Sequence, residues 1–206
     1  YGDLIIGLLT DKAIASYKRL PYLNYDQRLK IINNITGVKK VVKQEDWDYS
    51  PNLLKYKPDF MIHGDDWLNG PMLPYRKLAI KALEKYGGKL IEIPYTKGVS
   101  SSAMLKEVLA LGVTSEVRKA TLKRLLSCKK YITLLETHSP ISAIIAEKTS
   151  ILTPDGRQRE FDGFWSSSLT DSTEMGKPDI EALDISKRLS NINNIFDVTT
   201  KPLIID

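Results

Sequence analysis

Short β-prone runs alternate with amphipathic helices along this sequence, and that alternation restricts the fold more than any other feature. Asp3 to Leu9 is an apolar run of the kind that buries as a parallel strand. Tyr25 to Asn34 carries helical periodicity, and Val38 to Val42 and Asp59 to His63 read as strands. Tyr75 to Tyr86 reads as an amphipathic helix stopped by Gly87-Gly88. Lys89 to Ile93 is a strand and Ser101 to Leu111 a helix. After a break near Gly112 to Ser115 the pattern resumes with a basic helix, Glu116 to Ser127, a strand, Tyr131 to Thr137, and a helix, Ser139 to Lys148. Ser150 to Arg159 carries a Pro-Asp-Gly turn between β-prone pieces, a hairpin. A strand from Phe161 follows, then an exposed loop of small hydroxyl residues (Ser166 to Ser168), a Gly-Lys-Pro-Asp turn, a helix over Ile180 to Ile195 and a strand over Leu203 to Asp206.

Strand, helix, strand in succession is the pattern of parallel sheets covered by helices, so the fold class is α/β. The break divides the chain into 1–112 and 113–206. The second part holds about three βα units, whereas a closed (β/α)8 barrel takes on the order of 250 residues.

Charge and composition narrow the partners. The net charge is +5 and the basic residues are spread rather than blocked. Anionic small substrates account for that bias, and with no recognised nucleic-acid motif present no nucleic-acid partner is expected. No apolar run approaches the roughly 20 residues of a membrane helix, so no membrane partner is expected either. The single Cys128 leaves no internal disulfide to form and points to a reducing compartment, the cytoplasm. The chain opens Tyr-Gly-Asp-Leu-Ile-Ile and stops at Asp206 within strand-like segments. Both ends read as cut, so the expectation is an internal piece of a longer polypeptide.

Three constellations in the first half belong together. They are Tyr17-Lys18-Arg19-Leu20-Pro21-Tyr22-Leu23-Asn24 followed by Arg28, His63-Gly64-Asp65-Asp66-Trp67, and Tyr95-Thr96-Lys97-Gly98-Val99-Ser100-Ser101-Ser102. In order and spacing this set, over about Gly2 to Leu109, resembles the cytidylyltransferase family. The resemblance implies a Rossmann-like nucleotidyltransferase sheet, N-terminally truncated, with CTP as a substrate. Nucleotidyl transfer needs cations on a triphosphate and donors that stabilise developing charge. Lys18 matches the family's phosphate-contacting Lys and is the catalytic candidate. Asp65 and Asp66 fall in a segment the resemblance places at the nucleotide or acceptor. Ser100, Ser101 and Ser102 stand where a helix begins, so their hydroxyls and the helix N-terminus would hold phosphate oxygens. The family's His-x-Gly-His motif lies upstream of the first strand, and the two histidines here are His63 and His138. The family also tends to carry Arg where Tyr95 stands.

The second half carries Trp165-Ser166-Ser167-Ser168-Leu169, Asp179 fourteen residues after the Trp, and KPLIID ending at Asp206. With RKATLKRLL (Arg118 to Leu126) and LLETHSPISAIIAEK (Leu134 to Lys148), these segments resemble the phosphoenolpyruvate mutase family of the isocitrate lyase superfamily. The family usually has Gly where Ser168 stands. The resemblance implies the first three βα units of a (β/α)8 barrel and interconversion of phosphoenolpyruvate and phosphonopyruvate with Mg²⁺. It assigns phosphoryl shuttling to Asp179 and substrate binding to Trp165, Ser167, Ser168 and Leu169, with backbone N–H groups of Ser167 to Leu169 on the pyruvyl oxygens. It makes Asp206 the first carboxylate of a metal-positioning cluster. A homo-oligomer is expected of the full-length protein. The two halves together read as a bifunctional enzyme of phosphonate biosynthesis. The alternative is a phosphonopyruvate hydrolase or related lyase, its first half a nucleotide-binding or dimerisation module without catalysis.

Overall fold

The computed structural model describes residues 2–94 and 112–206. The expected helix Ser101 to Leu111 and the motif Tyr95 to Ser102 lie outside the described residues. The chain divides into two compact units, Tyr1–Val99 with Leu152–Arg157, and Ser100–Ile151 with Gln158–Asp206. No described helix is long and apolar enough to cross a membrane.

In the first unit, β1 (Leu4–Leu9) pairs in parallel with β2 (Val38–Gln44), and β3 (Phe60–Gly64) pairs in parallel with β4 (Lys89–Ile93). Among the described residues these are two separate two-stranded sheets rather than one continuous sheet. Among the described residues four α-helices accompany them: α1 (Asp11–Ala15), α2 (Tyr25–Asn33), α3 (Ser50–Tyr56) and α4 (Leu73–Glu84). Asn24 starts α2 with a reciprocal capping box, its side chain bonded to the Gln27 N–H and its own N–H to the Gln27 side chain. The core is Leu53 of α3 and Met61 of β3 packed with Trp67 and with Ala79, Ala82 and Leu83 of α4. Helices α1 and α3 go beyond the sequence expectation. Each is under three turns, too short for periodicity to register, and α1 depends on Thr10, whose hydroxyl accepts the Ala13 N–H at 3.1 Å.

The second unit is built on a parallel three-stranded sheet in the order β5 (Leu134–Glu136), β8 (Gly163–Ser166), β9 (Leu203–Ile205). The sheet is open. Helices α5 (Ser115–Cys128), α6 (Pro140–Lys148), α7 (Ser168–Glu174) and α8 (Ile185–Val198) surround it. A two-stranded hairpin, β6 (Ser150–Leu152) with β7 (Gln158–Glu160), precedes β8. Ala143 and Ala146 of α6 meet Phe164 of β8 and Ile195 of α8 in a fully closed core. Gly163 is required by close approach: a Cβ there would stand 2.5 Å from the Pro202 carbonyl oxygen, the acceptor of the Phe164 N–H.

Two expectations are corrected. The hydroxyl run is not an exposed loop: Ser166 is buried in β8, and Ser168 already begins α7. Serine, threonine and aspartate are weak helix formers, and the helix stands because Asp171 and Ser172 face inward. The last helix begins at Ile185 rather than Ile180. Glu181 takes a left-handed φ of 61°, and Asp184 supplies the cap, accepting the Ser186 N–H at 2.7 Å.

Arg118 of α5 closes the far end of α8. Its buried guanidinium donates to the carbonyls of Lys201 (2.7 Å), Phe196 (2.8 Å) and Thr199, and its Cζ stands 4.3 Å from the Phe196 ring centroid. The Phe196 carbonyl belongs to the last turn of the helix, Thr199 is its C-cap and Lys201 lies just beyond it, an end where a cation is also favoured by the dipole. Arg118→Met should therefore lower the free energy of unfolding by about 2–4 kcal/mol, through buried acceptors left without donors. Chemical denaturation checks this, and an unchanged midpoint would mean the carbonyls find other donors.

Candidate functional site

In the first unit two of the motif segments follow parallel strands, one of them directly. The Tyr17-Lys18 segment follows α1, which follows β1, and the Asp65–Trp67 segment forms a 3-10 turn immediately after β3. Arg28 ties α2 to that end of β1, donating to the Leu9 carbonyl at 2.9 Å and to Asp11 at 2.7 Å. Lys18 is exposed, its ammonium 6.0 Å from the Trp47 ring centroid, and the Tyr17 ring packs at 5.0 Å on the same indole. Trp47 is itself anchored by donating to the Ala13 carbonyl at 2.8 Å. Burial raises the Tyr17 hydroxyl above its ordinary pKa; Arg157 opposes the rise, and Asp155 and Asp66 add to it. Asp66 is thus within electrostatic reach of Tyr17. A cavity of about 430 Å³ in this unit is bordered by Tyr17, Trp47, Pro71, Pro74, Tyr75 and Arg157.

The His-Gly-Asp-Asp-Trp segment divides into an anchor and an exposed rim. Trp67 is fully buried, and its indole N–H donates to Glu92 at 2.6 Å. His63 stacks on Trp67 with ring centroids 3.7 Å apart, and its nitrogens meet the Tyr49 hydroxyl (3.3 Å) and the Gly64 carbonyl (2.8 Å). His63 is a satisfied strand-end histidine. Asp65 is half-buried and Asp66 exposed, so the two carboxylates are what this turn presents. Ser100, Ser101 and Ser102 lie outside the described residues, and with them the phosphate site expected between Lys18 and Ser101.

Glu92 holds the anchor. Arg76 grips it with two bonds of 2.8 Å. The Arg76 guanidinium and, after the opposing effect of burial, the Trp67 N–H bring the Glu92 carboxyl from 4.5 to about 2. A depressed folded pKa contributes stability that is present above 4.5 and is lost as pH falls toward 2. Urea midpoints should thus fall through that window, and Glu92→Gln should remove that part of the fall. At neutral pH the substitution should cost about 1 kcal/mol, a figure kept low because the pair is partly solvated. A Glu92→Gln protein with the same acid profile as the parent would refute this assignment.

In the second unit the named residues gather at the carboxyl ends of β8 and β9. Trp165 stands opposite Glu136 and Ile204 in the sheet, and its carbonyl accepts the Thr137 N–H at 2.9 Å. Ser167 precedes the first residue of α7, and the Ser168 N–H donates to Asp206 Oδ1 at 2.6 Å. Leu169 is exposed, and the Asp206 N–H bonds the Ser166 carbonyl at 3.2 Å. Asp179 lies apart from this network, exposed in the turn between α7 and α8. His138 is exposed after β5; its N–H bonds Ser142 Oγ at 3.2 Å and its carbonyl accepts from Asn191 at 2.8 Å.

Sequence reasoning missed the residue that binds these pieces, Arg188 of α8. Its Nε donates to Asp171 Oδ2 at 2.8 Å, Nη1 to the Asp206 carbonyl at 3.0 Å, and Nη2 to Asp206 Oδ1 at 3.1 Å and the Ser166 carbonyl at 3.3 Å. Ser166 Oγ donates to the same Asp171 oxygen at 3.0 Å. Burial pulls the Arg188 pKa down, and the bonds to Asp171 and Asp206 outweigh it, so the guanidinium is held above its ordinary value. The available signal was a lone Arg on the apolar side of an amphipathic helix.

The described residues do not by themselves fit a Mg²⁺ ion. No group of three His, Cys, Asp or Glu converges among them, and Asp206 Oδ1 already accepts from the Arg188 cation and the Ser168 N–H.

Two family models match this chain. Residues 1–107, more than half of the 206, match the one described as Cytidylyltransferase-like, and residues 122–206 match the one described as Phosphoenolpyruvate phosphomutase.

Proposed function

We propose, for a chain that belongs to the cytidylyltransferase-like family and carries a phosphoenolpyruvate mutase domain behind it, a role in phosphonate biosynthesis. The second domain interconverts phosphoenolpyruvate and phosphonopyruvate. The first transfers a cytidylyl group from CTP to a phosphonate or phosphate monoester, releasing pyrophosphate. The observation that carries this reading is the order of the two matches on one chain: an enzyme that makes a phosphonate is joined to one that activates such an anion. The domains are 1–112 and 113–206. Strands β1 to β4, two parallel pairs among the described residues, are read as parts of a Rossmann-like sheet. Strands β5, β8 and β9, parallel neighbours in sequence order with helices between them, are the first three of a (β/α)8 barrel.

In the mutase step the enol oxygen–phosphorus bond breaks and a carbon–phosphorus bond forms at the methylene carbon of the same substrate. Asp179 takes the phosphoryl group and returns it to carbon. Trp165 and Ser167 to Leu169 hold the pyruvyl group, with backbone donors of this segment facing its oxygens; the Ser168 N–H is engaged by Asp206. Enzymes of this family typically use Mg²⁺; Asp206 is the carboxylate this chain offers toward it, and no step is routed through the ion. In the transferase step Lys18 neutralises the triphosphate, with Asp65, Asp66 and Ser100 to Ser102 about the nucleotide.

The test uses the whole protein. Phosphonopyruvate is supplied, because the equilibrium favours phosphoenolpyruvate, and phosphorus NMR should show phosphoenolpyruvate appearing. Phosphate and pyruvate in its place would replace the mutase by a hydrolase. Separately, CTP with a phosphonate acceptor should yield pyrophosphate, and its absence would leave the first domain as a binding module.

A further inference from the structure

We propose that Arg188, clamped by Asp171, is a positioning residue that fixes the Asp206 carboxylate and, through it, the Ser168 N–H at the mouth of the strand ends. This rests on the mutase reading of the same site. Arg188 reaches from α8 to three elements at once, the end of β8, the residue after β9 and the first turns of α7. Its side chain is 9% exposed and that of Asp171 6%, whereas Asp206 is 34% exposed. The cation and its clamp are thus enclosed, and the carboxylate they hold is the less buried member of the network.

Stability alone is a weak reason for such a pair. A buried ion pair is often matched or bettered by apolar side chains of similar volume. Apolar groups would not hold a carboxylate oxygen, and the planar guanidinium fork does so with fixed geometry. Asp171 sets the fork: it takes the Nε bond, and the Ser166 hydroxyl donates to the same oxygen. The two Nη groups are left to bond Asp206 and the Ser166 carbonyl. Asp206 Oδ1 in turn orients the first N–H of α7, in the segment assigned to the pyruvyl oxygens. Displacing that segment by about an ångström is the kind of error that costs on the order of 10²-fold in rate.

The test is made in the whole protein with the double variant Asp171→Leu/Arg188→Met, which removes both buried charges and keeps the volume. Its thermal midpoint should stay within a few degrees of the parent, while amide hydrogen exchange at Ser168 rises about 10-fold or more. With phosphonopyruvate as substrate, kcat should fall on the order of 10²-fold with KM changing less than about 3-fold, as expected when ground-state binding survives and the reacting geometry does not. Arg188→Lys, which keeps the charge without the fork, should fall between the two and carries the test if the double variant does not fold. Unchanged Ser168 exchange in a folded variant would overturn the proposal, whatever happens to kcat. Inactivity of the parent would overturn the mutase reading instead, and the exchange measurement would still judge the positioning.

Discussion

Asp179→Ala should abolish phosphoenolpyruvate formation from phosphonopyruvate in the whole protein, a loss on the order of 10³-fold or more, because it removes the group proposed to carry the phosphoryl between oxygen and carbon. The fold makes this a clean experiment. Asp179 is exposed in the turn between α7 and α8, and that turn is held by other atoms. The Lys177 N–H donates to the Ser172 carbonyl at 2.9 Å, and its ammonium donates to the Ala182 carbonyl at 3.0 Å. An exposed side chain outside such contacts is worth within about 0.5 kcal/mol of stability. Circular dichroism and the thermal midpoint should therefore match the parent while the phosphorus signal disappears. Parental turnover in this variant would remove Asp179 from the chemistry, whichever reaction the domain performs.

Lys18→Ala should lower pyrophosphate release from CTP by about 10²–10³-fold, the usual cost of one lost donor to charge that develops in a transition state. Here too the side chain is separable from the fold. Lys18 is held by its backbone N–H, which donates to the Ile14 carbonyl at 2.9 Å, and its ammonium stands 6.0 Å from the Trp47 ring. The neighbouring Tyr17–Trp47 contact and the Trp47 bond to the Ala13 carbonyl keep the segment in place without it. The proposed mutase activity, assigned to other residues, should be unaffected in the same variant. Parental pyrophosphate release would refute the phosphate role, and loss of both activities would point to a folding defect.

What the sequence determined by itself was the order of the longer elements and the two domain families. Runs of the right period and length, such as Leu4–Leu9, Lys89–Ile93 and Ser115–Cys128, formed the strands and helices their patterns suggest, although Leu4, Ile5, Ile91 and Ile93 stay exposed and only Leu8 of β1 is buried as expected. Caps were equally local: Asn24 with Gln27, and Ser139 with Ser142, act within one turn. The motif order read along the chain agrees with the two family matches. Tertiary structure decided the rest. It turned the hydroxyl run at Ser168 into a helix, since a weak local preference is overcome when Asp171 meets a buried guanidinium. It delayed the last helix to Ile185, where Asp184 could cap it. It placed Trp67 in the core and left Asp65 and Asp66 at the surface of the same turn. It gave Arg118 and Arg188 their partners, which lie 17 to 83 residues away along the chain. A charged side chain reads as a solvated face in any local window; only the folded chain brings the carbonyls and carboxylates that make its burial tolerable.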